Sequence, residues 1–370
     1  MKTLIGNPVE DIDTPALVVD IGVLEANLAR QQAACDAAQL HFRPHMNAHK
    51  TPEIALMQLR AGAVGVTAAK LGEAEVMASA GVEDIFIANQ IVGAPKIARL
   101  VALARRVPKL SVAVDNFVGA AQAHEALHAA GLQVDALIEV DTGAGRCGVL
   151  PENLVAFADQ LTQCSALRLV GVMAYAGLAY QVRGAAAFEQ AGAQEARFLA
   201  EQARALEREG YTMARISGGT TPTGPHYQPG CGLTEIRSGT YCFNDYNQVD
   251  LGSATVEQVA ATILATVVSH PAADRAIVDA GAKAMGLQAT MVSDGYGFVL
   301  GPKGGRLTRV NDEHGYLDVG HMTGDVQIGE KLRLIPPRIC TALDLYDWMY
   351  LVQENRVVDV WKVAARGMRT

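Results

Sequence analysis

Short apolar segments alternate with helix-like segments through the first two thirds of this 370-residue chain. The apolar segments include AVGVTAA, DIFIAN, LSVAVD, DALIEVD and LRLVGVMAY, and each is followed by a stretch with helical spacing. Buried apolar strands that alternate with helices are typical of a parallel sheet covered by helices. About eight such units predict a (β/α)8 barrel of the TIM type. The alternative is a doubly wound sheet, but the glycine-rich dinucleotide turn that should follow its first strand is not found there.

The pattern changes near Gln248. From there on, short strand-like segments such as ATILATVVSHP, RAIVDAG and EKLRLIPP are separated by turn residues, and few helices are predicted. This pattern indicates an antiparallel β domain. The chain length suits a barrel of ~250 residues plus a smaller domain. We therefore predict an α/β fold, with an N-terminal (β/α)8 barrel and a C-terminal antiparallel β domain.

The composition argues against several classes of function. The formal net charge is −8, which disfavours nucleic acid or an anionic membrane as a partner. No segment approaches the ~20 apolar residues of a membrane span, and the N-terminus lacks the apolar stretch of a signal peptide. The six cysteines are far apart and form no CxxC pair, which is typical of reduced thiols rather than of a multi-cysteine zinc site. We expect a soluble, cytoplasmic protein.

The predicted barrel strands end in residues that carry chemistry, as is usual at the C-terminal ends of barrel strands. These ends are RPHMNAHK with Lys50, DTGAGRCG with Arg146, AYAG with Tyr175, SGGTTPTG at 217–224 and RSGTY at 237–241. Together they suit a phosphorylated aldehyde cofactor, because a lysine forms a Schiff base and glycine-rich turns hold a phosphate. Each element alone has a structural alternative. Lys50 would be a solvated surface lysine and SGGTTPTG an ordinary loop. Arg146 would form an ion pair with Asp141 or Glu139.

Four longer motifs resemble those of one enzyme family. RPHMNAHKTPEIA, EVDTGAGRCGV, SGGTTPT and TEIRSGTYCFND are similar to motifs of the D-threonine aldolase, 3-hydroxy-D-aspartate aldolase and D-serine dehydratase group. These are fold-type-III pyridoxal-phosphate (PLP) enzymes related to alanine racemase, so the resemblance implies PLP as the cofactor. It also assigns the first strand, DTPALVVD, to the β domain. We therefore expect a PLP-binding barrel over 21–247 and a β domain formed by 1–20 plus 248–370.

The resemblance implies a role for each motif residue. Lys50 binds PLP, Arg146 contacts its phenolic oxygen, and Arg237 lies near its ring. Tyr175 serves both the cofactor and the substrate. The implied phosphate-binding residues are Ser217, Gly218, Gly219, Thr220, Gly239, Thr240 and Tyr241.

Two departures from the family pattern affect the catalytic prediction. In the aldolases, a histidine thought to act on the substrate's β-hydroxyl follows the tyrosine; that position holds Gln181 here. The family's metal ligands lie in a His-x-Asp or His-x-Cys pair, but this segment reads LIPPRICTALDLYD, with Arg338 at the histidine position. Arginine cannot coordinate a cation, so only Cys340 remains unless His314 or Asp344 rebuilds the site. A bound divalent metal is therefore doubtful.

Arg338 offers a guanidinium in place of the metal, either to polarise the β-hydroxyl or to bind a carboxylate. The predicted catalytic set is Lys50, Tyr175, Gln181 and Arg338. The expected function is an aldolase that cleaves a D-3-hydroxy amino acid, of the D-threonine or 3-hydroxy-D-aspartate type, to glycine and a carbonyl compound. The alternative is a dehydratase or a racemase on the same scaffold. A two-base racemase would need a further tyrosine, such as Tyr296 or Tyr316.

A non-catalytic PLP carrier is a third possibility, but carriers of that kind lack the C-terminal β domain. Family members place the β domain of one subunit over the barrel mouth of the other. The resemblance therefore implies a head-to-tail homodimer that acts on a small-molecule amino-acid substrate.

Overall fold

The computed structural model describes residues 2–175 and 177–370, and contacts among them divide the chain into two compact units. The β unit comprises residues 2–28, 48–51 and 240–367, and the barrel unit comprises 29–47, 52–239 and 368–370. By contacts, the short segment 48–51 thus groups with the β unit, whereas the sequence prediction places it inside the barrel range.

The barrel unit is built on a parallel sheet. The first strand along the chain, β1 (Ala16–Asp20), belongs to the β unit. The parallel strands are β2 (His41–Phe42), β3 (Val66–Ala68), β4 (Asp84–Ile87), β5 (Lys109–Val114), β6 (Val134–Glu139), β7 (Leu167–Met173), β8 (Arg215–Gly218) and β9 (Glu235–Ile236). In the described part of the chain these eight strands follow the order β2-β9-β8-β7-β6-β5-β4-β3. Val64 donates to the Phe42 carbonyl (2.9 Å) and Thr67 to the Pro44 carbonyl (2.8 Å), which joins the two edges of the sheet into a barrel.

Helices alternate with these strands. They are α1 (Ile21–Ala37), α2 (Pro52–Ala61), α3 (Leu71–Ser79), α4 (Ala94–Ala104), α5 (Phe117–Ala129), α6 (Leu154–Leu161) and α7 (Ala185–Arg208). The Asn116 side chain caps α5 by accepting a hydrogen bond from the Gly119 amide, which satisfies one unpaired donor of the first turn. Within the barrel, one apolar cluster is formed by Phe86, Ala88, Ala113, Leu137 and Met173. Among the described residues, no helix has the length and apolar character to cross a membrane.

The β unit contains the remaining strands. They are β10 (Ala261–Ala272), β11 (Arg275–Val278), β12 (Gly297–Val299), β13 (Arg306–Val310), β14 (Gly315–Asp318), β15 (Lys331–Ile335), β16 (Trp348–Gln353) and β17 (Arg356–Lys362). The short helices α8 (Tyr246–Leu251), α9 (Ala282–Met285) and α10 (Ile339–Leu343) connect them. The strand order β11-β14-β13-β12-β15-β10 closes on itself through the pairing of β10 with β11. The result is a closed antiparallel barrel.

Strand β1 extends this sheet. It pairs antiparallel with β10 and parallel with β16, and β16 forms a hairpin with β17. The core beneath β1 is aliphatic and includes Ile12, Val18, Leu264 and Val360. The predicted fold class, a TIM-like barrel with an antiparallel β domain, is confirmed.

Candidate active site

Lys50 is a buried residue of the β unit. It follows β2 and a 3-10 turn at Met46–Ala48, and only 7% of it is exposed. Its Nζ lies 3.5 Å from Asp344 Oδ1, and its backbone carbonyl accepts a hydrogen bond from the Ala365 amide (2.9 Å). Its φ of 53° lies in the left-handed region, which residues other than glycine seldom occupy. The structure therefore excludes the alternative of a solvated surface lysine.

The neighbours of Lys50 fix the backbone on both sides of it. The Thr51 hydroxyl donates to the His49 carbonyl (2.7 Å), and the Thr51 amide donates to His49 Nδ1 (3.2 Å). His49 and Thr51 are both fully buried. Because these bonds link the residues on either side of Lys50, they constrain its backbone.

Arg146 and Tyr175 come together in the barrel unit. Arg146 lies in the loop after β6 and Tyr175 follows β7, and the guanidinium carbon lies 4.6 Å from the centre of the tyrosine ring. Arg146 also forms an ion pair with Glu139 at 3.4 Å, one of the two partners considered from the sequence. Its side chain is 58% exposed, so the guanidinium is accessible to a ligand. Gln181 ends a 3-10 helix (Gly177–Gln181) and is exposed.

The glycine turn after β8 is packed against α7. Gly219 has a φ of +82°, and a Cβ there would lie 2.6 Å from Ile236 Cγ2, so only glycine fits. The Gly219 amide donates to Glu195 Oε1 of α7 (2.9 Å). The Thr220 amide donates to the Thr223 hydroxyl (3.0 Å). The turn is therefore rigid, and these two amides have protein partners. Gly218 is equally crowded, because a Cβ there would lie 2.9 Å from Glu195 Oε1.

Arg237 is held in place inside the barrel unit. Its Nε donates to the Ser217 hydroxyl (2.8 Å), and Nη2 donates to the Ala174 carbonyl (2.5 Å). The Ser217 hydroxyl in turn donates to Glu235 Oε1 (2.7 Å). Burial lowers the pKa of Arg237, while the charge of Glu235 and other carboxylates opposes this effect. The Ser217 hydroxyl thus makes both of these contacts within the protein, one with Arg237 and one with Glu235.

The segment after Arg237 passes close to the chain that precedes Lys50. A Cβ on Gly239 would lie 2.9 Å from the His45 carbonyl, so this position also requires a small residue. Thr240 and Tyr241 follow in a 3-10 helix (Thr240–Cys242) of the β unit, and Tyr241 is buried. The Thr240 hydroxyl lies 3.7 Å from Cys340 Sγ.

Arg338 and Cys340 lie at the start of α10 in the β unit. Burial raises the pKa of the Cys340 thiol, and the charge of Asp245 adds to this effect, whereas Arg338 and Thr240 oppose it. Burial also raises the pKa of the Asp245 carboxyl to about 7. Hydrogen bonds from Ile339 and other backbone amides, together with the charge of Arg338, oppose this effect. Arg338 is exposed and hydrogen bonds to the thiol. This end of α10 therefore presents a guanidinium beside a protonated thiol.

Comparisons with known proteins agree with these features. Residues 19–247 match the family model described as alanine racemase, N-terminal domain, and 260–352 match the model described as putative serine dehydratase domain. A D-threonine aldolase from Arthrobacter sp. is 38% identical over 98% of this chain and 95% of that protein. The D-threo-3-hydroxyaspartate dehydratase of Delftia sp. is 34% identical over 95% of this chain and 97% of that protein.

A comparison with a solved structure leads to the same group of enzymes. The D-threonine aldolase from Filomicrobium marinum superimposes with a TM-score of 0.87, at 30% identity and with all of both chains covered. The chain belongs to the D-threonine aldolase and D-serine dehydratase family of alanine racemase-like enzymes. The resemblance inferred from the motifs is thus confirmed. The chain is an enzyme, and the lyase class fits it.

The residues at the family's metal position do not fit a divalent cation. Arg338 offers no lone pair, and Cys340 alone would be a single protein ligand, fewer than a stable divalent site uses. The described residues contain one group of three possible ligands within 4.8 Å of one another, namely Asp115, Glu139 and Cys147 of the barrel unit. That group does not include Cys340. His314 is exposed and its amide bonds to Asn311, and Asp344 is paired with Lys50.

Three carboxylates of this region were not predicted as supports of the site. They are Asp344 beside Lys50, Glu195 beneath the glycine turn and Glu235 beneath Ser217. The role of Glu235 could have been inferred from the sequence. Glu235 and Arg237 are two residues apart on a short predicted strand, so their side chains must lie on the same face of it. The other two lie on elements whose local pattern contains nothing that marks them.

Proposed function

We propose that this member of the family is a PLP-dependent aldolase that cleaves a D-3-hydroxy amino acid, of the D-threonine or 3-hydroxy-D-aspartate type, to glycine and a carbonyl compound. The observation that carries the proposal is Lys50, a buried lysine paired with Asp344 in a motif that the family uses for its cofactor. Burying an ammonium group is costly, so a buried lysine indicates a use for it. The 38% identity to a D-threonine aldolase supports the choice of reaction.

In this proposal, Lys50 carries the cofactor, Arg146 contacts its phenolic oxygen, and Arg237 lies near its ring. The phosphate is assigned to the segments Ser217–Thr220 and Gly239–Tyr241. The Gly219 and Thr220 amides keep their partners Glu195 and Thr223, and Ser217 positions Arg237. PLP, once bound, supplies an electron sink for the bond that breaks at Cα. The rigid hydrogen bonds of Arg237 and of the glycine turn support this assignment because they need no rearrangement on binding.

Cleavage of the Cα–Cβ bond requires that the β-hydroxyl lose its proton and that Cα gain one. We assign Tyr175, as the phenolate beside the Arg146 guanidinium, as the acceptor of the hydroxyl proton, and the amine of Lys50, in its protonated form, as the donor of the proton to Cα. The amide of Gln181 orients that hydroxyl but does not carry the proton, since an amide does not titrate at neutral pH. Asp344 holds the ammonium group of Lys50 in place through the 3.5 Å ion pair.

We further propose that Arg338, rather than a divalent metal, provides positive charge at the substrate's hydroxyl or carboxylate. A divalent ion about 4 Å from a fixed guanidinium would be repelled by about 8 kcal/mol at an effective dielectric constant of ~20. A single protonated thiol does not offset this repulsion. Arg338 is exposed and hydrogen bonds to the Cys340 thiol, which places its positive charge at the start of α10.

Product analysis tests the reaction. Purified protein is incubated with D-threonine, D-3-hydroxyaspartate and D-serine, and glycine, ammonia and the L-enantiomer are measured together. We expect glycine and the matching carbonyl compound from a 3-hydroxy substrate. Ammonia with a keto acid would assign a dehydratase instead, and the L-enantiomer alone would assign a racemase.

A pair of lysine variants provides the control. Lys50→Ala is expected to abolish product and the absorbance of the bound cofactor, and borohydride should trap the cofactor on Lys50 in the unsubstituted protein. Lys283→Ala removes an exposed lysine paired with Glu313 in the same unit and should leave both unchanged. Recovery of the trapped cofactor on Lys70 or Lys283 would contradict the assignment.

A further inference from the structure

A cavity of about 460 Å³ lies at the amino-terminal ends of the barrel strands. Its lining includes Asp84, Lys109 and Arg215, which are the first residues of β4, β5 and β8. Arg146, Tyr175 and the glycine turn all follow the carboxyl ends of barrel strands. The cavity, which we call the basal cavity, is therefore at the other end of the barrel unit from these residues.

The basal cavity is strongly cationic. Its basic lining residues are Arg43, Arg105, Arg106, Lys109, Arg168 and Arg215. Two lining residues are acidic, Asp84 and Asp135. The whole chain has a net charge of −8, so this concentration of positive charge is opposite in sign to the molecule around it. A concave site of one charge sign attracts small ions of the other sign.

Three of these six basic residues form ion pairs with carboxylates of the barrel unit, and these ion pairs account for their presence. Arg43 is 5% exposed, forms an ion pair with Asp84 and lies 3.0 Å from Glu235. Arg215 Nη2 lies 2.9 Å from Glu235 Oε1. Arg168 pairs with Asp135 at 2.6 Å. These three arginines neutralise the carboxylates of this region.

The other three cations are not explained by the fold. Arg105, Arg106 and Lys109 are exposed on the segment that joins α4 to β5. Among the described residues, none of the three forms an ion pair, and Arg106 bonds only to the Ser79 hydroxyl (3.1 Å). Packing does not require these exposed residues to be basic, and three like charges on one short segment repel one another without a counter-charge. An anionic ligand would supply that charge.

The shape of the cavity restricts the ligand. Its volume exceeds the needs of a bare inorganic ion, and Val107, Pro108 and Leu110 provide an apolar wall beside the cations. Guanidinium groups bind carboxylate and phosphate oxygens in a bidentate manner. We propose that the basal cavity binds a small organic anion with two or more negative charges, either a phosphate monoester or a polycarboxylate. This inference does not depend on the proposed aldolase reaction.

Calorimetric titration of the PLP-loaded protein tests the site. The probes are ribose 5-phosphate, citrate and inorganic phosphate. We expect saturable binding of ribose 5-phosphate or citrate, at least tenfold tighter than that of inorganic phosphate and weakened by added salt. The tighter of the two organic probes identifies the source of the negative charge. If no probe binds saturably at millimolar concentration, or if inorganic phosphate binds as tightly as both, the proposal is overturned.

A matched pair of variants places the binding in the cavity. The double variant Arg105→Glu with Lys109→Glu reverses two exposed rim charges and should weaken binding at least tenfold. Arg60→Glu with Arg204→Glu makes the same change in net charge at exposed positions on α2 and α7, and should leave affinity unchanged. Equal losses in both double variants would show general electrostatic attraction rather than a site, and would overturn the proposal. Circular dichroism of each variant confirms that the fold is retained.

Discussion

Single residues decide what the candidate site can do, and Arg338 and Glu235 are the clearest cases. Arg338 stands where the family pattern has a metal ligand, and it hydrogen bonds to Cys340. Glu235 is buried between Arg43 and Arg215, and its carboxylate also accepts a hydrogen bond from the Ser217 hydroxyl. In the proposed function Arg338 supplies the positive charge at the substrate, whereas Glu235 stabilises Arg43 and Arg215.

We predict that turnover does not depend on a divalent metal. Activity should persist after treatment with EDTA, and added Mn²⁺ should not raise it. Arg338→Ala should lower kcat by about 10²-fold, the usual effect of losing a charged donor to the transition state, with PLP occupancy retained. Arg275→Ala, at an exposed arginine of the β unit, is the control. Loss of activity in EDTA with recovery in Mn²⁺ would contradict the prediction.

The Glu235 carboxylate should make stability depend on pH. Burial alone would raise its pKa, but Arg43, Arg215 and their hydrogen bonds lower it to about 2 from an ordinary value of 4.5. Its contribution, about 3 kcal/mol, is present above pH ~4.5 and is lost as the pH falls towards 2. Urea unfolding should show Glu235→Gln less stable at pH 7 by about this amount, with the difference shrinking below pH 4. A difference that is constant with pH, or one shared by the exposed control Glu201→Gln, would refute this.

At the scale of elements, α7 supports the glycine turn after β8. Glu195, near the middle of the helix, accepts hydrogen bonds from the Gly219 amide (2.9 Å) and the Tyr227 hydroxyl (2.7 Å). Both donors are buried. A helix on the outside of the barrel thus determines the geometry of a turn at the strand ends.

We predict that Glu195→Ala destabilises the protein through this turn. Two buried donors lose their acceptor, and each costs about 1–3 kcal/mol. The free energy of unfolding, measured by urea denaturation, should fall by about 2–6 kcal/mol, and PLP affinity should fall with it. Glu201→Ala, at an exposed position of the same helix, should have an effect within about 0.5 kcal/mol. Similar losses in the two variants would show that the turn contacts contribute little.

At the scale of the whole molecule, the β unit carries exposed apolar side chains. Leu287 is 74% exposed, Met291 55% and Ile328 67%. Large exposed apolar side chains are often found on surfaces that become covered on association. The family resemblance independently implies a head-to-tail homodimer.

We predict that the protein is a homodimer whose activity requires association. Size-exclusion chromatography with light scattering should give twice the mass of one chain, and specific activity should fall on dilution as dimers dissociate. Leu287→Asp with Met291→Asp should shift the equilibrium towards the monomer. Val118→Asp, at an exposed apolar residue of the barrel unit, is the control. A monomer that stays fully active when dilute would contradict this prediction.

The fold class and the family could both be predicted from the amino-acid sequence. Barrel strands such as DIFIAN and LSVAVD are short, apolar and separated by helices, and this local periodicity is sufficient to indicate a covered parallel sheet. The motifs around Lys50 and Arg146 are contiguous in the chain, so they can be recognised without a structure. The absence of a metal-binding histidine at Arg338 is also visible in the sequence.

The partners of those residues could not be predicted from the sequence and are seen in the folded chain. Asp344 beside Lys50, Glu195 beneath Gly219 and the charged lining of the basal cavity all depend on contacts between segments far apart in the chain. Local propensity and hydrophobic pattern report which face of an element is buried, but they do not report which distant side chain meets it there. Burial and pairing follow from closure of the two barrels, and closure is a property of the folded chain as a whole.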